Sequence, residues 1–264
     1  MRFTLHLAPQ TKYPKLMWNY AYPLSAWLYG VIANADSDYA SFLHNTGYHT
    51  PSGKSFKHFT FSDFRFKMGK MFSDGFEIAS PTVQWTVSFL IDKTAESFII
   101  GLFQDQRIRL FNRDYDTTFI VERVETLPEL IFSSQTKLVA SSAMVVAEKV
   151  NGKDQYLEPT HEHFGKYLLD GLIDKYISVL QERGEAINPA FNDTNLAFKL
   201  LDSSKMKSRK VTIKEGKDSA TEIRGFRNFQ FELTAPSEII KVGLFGGLGK
   251  HSAAGFGYCE VVDG

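Results

Sequence analysis

The stretch of sequence that decides the fold lies near the C-terminus and reads Gly247-Leu248-Gly249-Lys250-His251-Ser252-Ala253-Ala254-Gly255-Phe256-Gly257. Two Gly-apolar-Gly triplets enclose a spacer that contains Lys250 and His251. Glycine adopts backbone conformations that other residues avoid, so this segment, the glycine loop, can lie closely against a phosphate or another stretch of backbone. We predict a binding and positioning role for the loop.

Two common nucleotide-binding motifs do not fit the glycine loop. A P-loop requires a glycine five positions before the glycine that precedes its lysine, and Ser or Thr after that lysine. Leu244 and His251 occupy these two positions. A dinucleotide-binding fingerprint opens a helix and leads on to an acidic residue, whereas this chain continues into a strand-like tail. We therefore predict no nucleotide cofactor.

The double Gly-apolar-Gly pattern resembles the C-terminal signature of the RAMP superfamily, and within it that of the CRISPR-associated endoribonucleases that cut precursor CRISPR RNA inside its repeats. The resemblance implies metal-independent cleavage by 2′-hydroxyl attack, which gives a cyclic phosphate and a 5′-hydroxyl end without a cofactor. The implied partners are repeat RNA, crRNA, other Cas proteins of a type I or type III interference complex, and a second copy of the chain. The alternative is a non-catalytic RAMP-type subunit that binds crRNA in such a complex.

Composition narrows the classes of function. The chain has 264 residues, a formal net charge of zero and one cysteine, Cys259. Zero net charge gives no general attraction for nucleic acid, so an RNA site must be local. One cysteine excludes an internal disulfide and a thiolate zinc cluster. The start of the chain alternates like a strand, and no apolar run is long enough to span a bilayer, so we expect a cytoplasmic protein without membrane contact.

The first half of the chain has the element order β-α-β-β-α-β, which is typical of a ferredoxin-like domain. Apolar residues at helical spacing, beginning with Leu24 and Trp27, indicate its first helix. In order, the predicted elements are a strand over 2–9, a helix from 23 to 35, a short helix over 38–44 and a loop over 45–55. Strands over 57–66 and 75–90 follow, the second interrupted near Ser80 and Pro81, and then a helix from 92 to 103 and a strand over 108–127.

The second half is predicted to be a degenerate copy of the first. Its elements are a strand over 137–149, a helix from 159 that Gly184 ends, strands over 196–201, 210–214 and 225–234, and the tail after 255. Only one or two helical turns are expected over 236–242. The fold class is therefore α+β with two tandem ferredoxin-like domains, 1–128 and 129–264, and the C-terminal glycine loop.

The candidate catalytic residues lie in the first half. An enzyme that promotes attack by the 2′-hydroxyl of RNA needs a proton carrier and a cation for the developing charge. Tyr29 on the first helix, His44 and Lys57 form such a set, and their order and surroundings resemble those of the endonuclease family. The resemblance implies that His44 is the principal acid/base, Tyr29 its partner at the attacking hydroxyl, and Lys57 the cation beside the scissile phosphate.

Alternatives stay open for each of these residues. His49 or His58 could replace His44, because the interval from His44 to Lys57 is longer than in the family members compared. Tyr29 could be a helix tyrosine with its hydroxyl at the surface, and Lys57 an ordinary lysine at the end of a strand.

A second set of residues is predicted to hold the RNA. The basic cluster Lys205, Lys207, Arg209 and Lys210, with Lys199 before it and Lys214 after it, is typical of a hairpin that binds phosphates, although a charged edge that prevents strand aggregation has the same pattern. In the glycine loop, the candidate RNA-binding residues are Gly247, Gly249, Lys250, His251, Gly255 and Gly257. His161 and His163 do not share a helical face, so we predict no metal site.

Overall fold

A computed structural model describes residues 1–186, 196–213 and 221–262. Within these ranges the helices, numbered in chain order, are α1 (Ala21–Ala35), α2 (Ser37–Ser41), α3 (Asp92–Gln104), α4 (Phe164–Glu182) and α5 (Ser237–Gly246). A π-helical turn, Phe42–Thr46, continues α2, and a 3₁₀ turn, Ser252–Ala254, lies inside the glycine loop. None of the helices in these ranges is long and apolar enough to cross a membrane.

The strands are also numbered in chain order. They are β1 (Arg2–Pro9), β2 (Lys15–Met17), β3 (Tyr48–His49), β4 (Ser55–Phe56), β5 (Phe59–Phe61), β6 (Met68–Met71), β7 (Gly75–Ile78), β8 (Val83–Phe89), β9 (Arg107–Phe111), β10 (Asp116–Thr126), β11 (Gln135–Ala140), β12 (Ala147–Val150), β13 (Lys153–Tyr156), β14 (Ala197–Asp202), β15 (Lys207–Ile213), β16 (Thr221–Arg227), β17 (Gln230–Thr234) and β18 (Cys259–Val261).

The first sheet has the strand order β5-β8-β1-β10-β9, and its neighbours pair antiparallel. β1 lies at the centre, where Phe3, Leu5 and Leu7 are buried. The two long helices of this half pack closely together, because Gly101 of α3 meets the backbone of Val31 in α1 and leaves no room for a side chain. This packing forms a core of one sheet and two helices, as predicted.

The second sheet has the order β14-β17-β11-β18 and is likewise antiparallel. When the strands of each β-α-β-β-α-β unit are counted along the chain, the second sheet has the order 2-3-1-4. The first sheet has the same order when β9, an additional strand at its edge, is left out, and this agreement confirms the predicted α+β fold of two ferredoxin-like units. The second unit is more complete than expected, since α5 has ten residues instead of one or two turns. Gly243 in this helix packs against Leu172 and Leu248, and that burial outweighs the low helix propensity of glycine.

Polar turns divide some of the predicted strands. The expected strand over 108–127 is wrong, because the Asn112 side chain accepts hydrogen bonds from the backbone N–H groups of Asp114 (2.9 Å) and Tyr115 (2.8 Å) and turns the chain between β9 and β10. The strand predicted over 225–234 is divided at Asn228, whose backbone is left-handed (φ +60°). The strand predicted over 57–66 is shorter than expected, since only β5 (Phe59–Phe61) forms a strand there.

Contacts between the first and second ferredoxin-like units begin at the first strand. Arg2 is 4% exposed, and its guanidinium donates to the carbonyls of Leu244 (2.7 Å) and Cys259 (3.0 Å). The same group lies over the rings of Phe245 and Tyr258. The strands of the first sheet lie within 2–126 and those of the second within 135–261. The division into domains at residues 128 and 129 stays a prediction.

Candidate active site

Tyr29 projects from α1 towards the segment that follows α2. Its ring meets the edge of the His44 ring, with centroids 5.1 Å apart, and the ring of Phe59 at 5.5 Å. The side chain is half-buried, and this burial raises the pKa of its hydroxyl well above the ordinary value. Tyr29 therefore stays protonated near neutral pH, as a hydroxyl that can donate and accept hydrogen bonds.

His44 is held by the π-helical turn Phe42–Thr46, which we call the His44 turn. The N–H of Gly47 closes the turn on the carbonyl of Phe42 (2.8 Å). Leu43 points into the core while His44 is exposed. The turn therefore fixes the backbone of His44 and presents its ring to solvent, and π-helical turns of this kind occur often at functional sites.

Asn45 orients the imidazole. Its amide nitrogen donates to the hydroxyl of Ser41 (3.2 Å), so its Oδ1 is the atom that faces Nδ1 of His44 at 3.0 Å. An oxygen acceptor at this position favours the tautomer with the proton on Nδ1. That tautomer leaves the lone pair of Nε2 available to accept a proton.

Lys57 completes the predicted group. Its amine donates to the backbone carbonyl of His44 (3.0 Å), and partial burial lowers its pKa from the ordinary value. A side chain on Gly47 would come within 2.8 Å of the Lys57 amine, so glycine leaves the space for that amine. The structure thus brings Tyr29, His44 and Lys57 together, although their roles stay predictions.

The two alternative histidines have different surroundings. His58 is 1% exposed, its Nε2 lies 2.9 Å from the hydroxyl of Ser178, and burial lowers its pKa to about 3. A neutral, buried imidazole is out of reach of a substrate. His49 is exposed in the short hairpin of β3 and β4, where its backbone pairs with Ser55.

A buried cluster of hydroxyl groups lies beside the His44 turn. It was not predicted from the sequence. Tyr39 precedes the turn and Tyr48 follows it, and their hydroxyl groups lie 2.9 Å apart. The Tyr39 hydroxyl also meets that of Thr94 on α3 (2.5 Å). Tyr39 and Tyr48, on either side of His44, are the part of this cluster that the sequence could have indicated. The third hydroxyl group, that of Thr94, is distant in sequence.

The glycine loop has a packing role. Gly247, Gly249, Gly255 and Gly257 all have left-handed backbones, with φ between +72° and +84°. A side chain on each would collide with a neighbour: Ser252 and Thr60 for Gly247, the Val145 carbonyl for Gly249, the Phe61 ring for Gly255, and the Leu248 carbonyl for Gly257. These glycines let the loop lie against the core, and their assignment to RNA binding stays a prediction.

Several polar groups of the loop are already engaged within the protein. The N–H of Leu248 donates to the Gly257 carbonyl (2.9 Å), and that of Lys250 donates to the Val145 carbonyl (2.8 Å). The Lys250 amine pairs with Asp154 at 3.0 Å. His251 is exposed and has a left-handed backbone (φ +61°), so it is the loop side chain that faces solvent most directly.

The glycine loop and the catalytic candidates lie side by side. The Ser25 hydroxyl on α1, one helical turn before Tyr29, donates to the Ala253 carbonyl in the loop (2.7 Å). The Thr60 hydroxyl on β5, three residues after Lys57, donates to the Phe256 carbonyl (2.9 Å). The glycine loop therefore packs against α1 and β5, the elements on or beside which Tyr29 and Lys57 lie.

The basic cluster divides into exposed and engaged residues. Lys199, Lys205 and Lys207 are exposed, and Lys210 is exposed but pairs with Glu222 at 2.9 Å. Arg209 forms a partly buried ion pair with Asp63, which also binds Arg227. The pair connects β15 to the first half of the chain. Lys214 lies outside the described residues.

Comparison with known protein families gives two matches that together cover most of the chain. A model described as CRISPR associated protein Cas6, C-terminal, matches residues 125–261, which is more than half of the chain. A second model, CRISPR-associated protein Cas6, N-terminal, matches residues 15–125.

Individual proteins give the same result. The CRISPR-associated endoribonuclease Cas6 1 of Methanocaldococcus jannaschii is 24% identical over 265 residues, which cover 100% of this chain and 93% of the relative. The solved structure of a Cas6-related protein from Pyrococcus furiosus has a TM-score of 0.80 at 20% identity and covers 100% of this chain and 98% of its own. A solved RAMP protein that binds different RNA substrates has a TM-score of 0.78 at 19% identity, with both chains fully covered.

Proposed function

The chain belongs to the Cas6 family of CRISPR-associated proteins, and from this membership we propose that it is an endoribonuclease that cleaves precursor CRISPR RNA within its repeats. The observation that carries the proposal is the meeting of Tyr29, His44 and Lys57 on one surface beside the glycine loop. The name of the Methanocaldococcus jannaschii relative, an endoribonuclease, supports the same activity.

We propose that cleavage is metal-independent and uses the 2′-hydroxyl of the RNA. This oxygen loses its proton and bonds to the adjacent phosphorus, while the bond from phosphorus to the 5′-oxygen breaks and that oxygen gains a proton. The products are a cyclic phosphate and a 5′-hydroxyl end. No net proton is consumed, so the enzyme must move protons and stabilise the charge on the phosphate.

The surroundings of each residue suit one of these tasks. His44 is exposed, and its Nε2 can accept a proton, so it is the proposed principal acid/base. Tyr29, which stays protonated, is proposed to hold the attacking hydroxyl. Lys57 is proposed as the cation beside the scissile phosphate, where charge develops in the transition state.

RNA binding is proposed to continue from this surface along the glycine loop and the basic cluster. Lys205 and Lys207, which are exposed, are the strongest candidates for phosphate contacts, and His251 is the candidate in the loop. The proposed partners are repeat RNA and crRNA, other Cas proteins of a type I or type III interference complex, and a second copy of the chain. We propose that the reaction takes place in the cytoplasm, where the precursor transcript is made.

A cleavage assay with a labelled repeat RNA in EDTA tests the proposal, with a matched RNA that has a 2′-deoxy sugar at the cut position. We expect cleavage of the first RNA and intact second RNA, with a cyclic phosphate on the upstream product. Tight binding without cleavage would favour the non-catalytic crRNA-binding subunit. Cleavage of the deoxy RNA, or a requirement for metal, would contradict the mechanism.

A further inference from the structure

A buried lysine contacts the start of the glycine loop and takes no part in the proposed reaction. Lys175 on α4 is 3% exposed, and its amine donates to the carbonyls of Gly246 (3.4 Å) and Gly247. These carbonyls end α5 and begin the glycine loop. The last carbonyls of a helix have no partner within the helix and lie at the negative end of its dipole, so an amine at this position satisfies both needs.

The position of this amine is costly. Burial in a low-dielectric interior disfavours a charged lysine and lowers the pKa of Lys175 to about 7. Its hydrogen-bond acceptors in the described part of the chain are backbone carbonyls instead of a carboxylate. A methionine would fill the same space without this cost, but it would leave the carbonyls at the start of the loop without their donor.

The same helix turn of α4 also holds the segment that contains Lys57. The Ser178 hydroxyl donates its only proton to the Lys175 carbonyl (2.8 Å). The bond of 2.9 Å between this hydroxyl and Nε2 of His58 must therefore be donated by the histidine. His58 is held in a left-handed conformation (φ +55°) and directly follows Lys57 in the chain.

The end of α5 and the His58 segment are also in direct contact. A Cβ atom on Gly246 would stand 3.5 Å from the Cα and Nδ1 atoms of His58, so the helix end lies on this residue. Two amino acids later, Thr60 binds the loop at Phe256. One turn of α4 thus contacts the start of the glycine loop through Lys175 and the catalytic segment through Ser178.

We propose that Lys175 is a positioning residue that fixes the glycine loop relative to Lys57, with Ser178 and His58 as the second arm of the same connection. This inference rests on the proposed function. A displacement of about 1 Å between reacting groups can cost roughly 10²-fold in rate, so a connection of this kind matters for cleavage beyond its effect on stability.

The test compares cleavage under single-turnover conditions with thermal melting of the same variants. Lys175→Met should slow cleavage about 10- to 10²-fold at a temperature well below its melting point. Lys166→Met replaces an exposed lysine of the same helix, paired with Asp170 at 2.7 Å, and should leave the rate unchanged. Val179→Ala removes a buried apolar contact of α4 and should lower the melting temperature but not the rate.

A double-mutant cycle between Lys175→Met and Lys57→Met shows whether the effect passes through Lys57. If it does, Lys175→Met should cost no more than about threefold in the Lys57→Met background, because coupled residues are not additive. If Lys175→Met does not fold, Ser178→Ala is the milder variant, and it should lower kcat about tenfold while KM is unchanged.

If the wild-type protein cleaves the repeat RNA, two outcomes would overturn this inference but not the proposed function. One is a double-mutant cycle whose effects are additive. The other is a Lys175→Met variant that cleaves as fast as Val179→Ala. A wild-type protein that does not cleave the RNA would overturn the proposed function and this inference together. The wild-type assay therefore separates the two failures.

Discussion

The His44 turn and the glycine loop each present an exposed histidine to solvent, but they are built in opposite ways. The His44 turn is exposed from His44 to Thr46 and rests on buried hydroxyl groups. In the glycine loop, Gly247, Gly255 and Gly257 are buried, and several N–H groups are used within the protein. The most recognisable motif of the sequence thus secures the architecture, while a segment with weak local signals presents the proposed chemistry.

The largest expected effect is on the cleavage rate and comes from the exposed His44 turn. His44→Ala should slow single-turnover cleavage of repeat RNA by roughly 10²–10⁴-fold, since a general acid/base is lost, while RNA affinity changes little. Gel-based cleavage and filter binding measure the two quantities. An unchanged rate would show that the proton carrier lies elsewhere, and His49→Ala is then the variant to compare.

Substitutions of the loop glycines should lower the stability of the protein. Gly257→Ala would place a methyl group against the Leu248 carbonyl in a left-handed conformation, and should cost at least about 2 kcal/mol of unfolding free energy in a urea titration. Gly171→Ala on α4 is the matched control. Its added Cβ meets nothing within 4 Å, so the change should stabilise the helix by about 0.5–1 kcal/mol. Equal effects of the two variants would refute the packing role.

The basic cluster also contains both exposed residues and residues that pair within the protein, and these two kinds should differ in their effect on RNA binding. Neutralising Lys205 and Lys207 together should lower the slope of log affinity against log salt by about 1.4, since each phosphate contact on a single strand contributes about 0.7. Lys166→Ala removes an exposed lysine that is not part of the basic cluster and pairs with Asp170, so it should leave the slope unchanged. Arg209→Ala should mainly reduce stability, because Arg209 pairs with Asp63; a slope change as large as that of the two lysines would contradict this division.

The smallest effect concerns His58 and its pH dependence. Because its folded-state pKa is about 3 and its unfolded pKa about 6.5, the unfolded chain takes up a proton first as the pH falls. The stability that this group contributes is complete above the unfolded pKa and is lost towards pH 3, with about 1.4 kcal/mol lost between pH 7.5 and 5.5. His58→Gln keeps a donor for Ser178 but does not titrate, so urea titrations should show a smaller loss over this interval. An identical loss would place His58 in solvent.

The sequence was sufficient for elements with a strong repeat. The apolar spacing from Leu24 onward predicted α1, and the alternation of the first residues predicted β1, since both patterns reflect burial against one core. The length of α5 could not be predicted, because its glycines disfavour a helix and only packing against Leu172 and Leu248 overrides them.

The three candidate catalytic residues could be predicted from the sequence, but the contacts that hold them in place could not. Tyr29, His44 and Lys57 were selected by their resemblance to a family, and the structure brings them together. The contact between Gly47 and Lys57 and the pairing of Asp63 with Arg209 join residues that no local pattern connects. The glycine pattern of the loop was visible, but the carbonyls and rings that require it are set by tertiary structure.

The buried Arg2 has a consequence for how the protein unfolds. Its guanidinium is on the first strand, yet its acceptors, Leu244 and Cys259, belong to the last part of the chain. Separation of the two sheets would strip a buried cation of both acceptors, so partial unfolding of either half weakens the other. The chain should therefore melt in a single cooperative transition, with equal calorimetric and van't Hoff enthalpies, despite its two-sheet architecture.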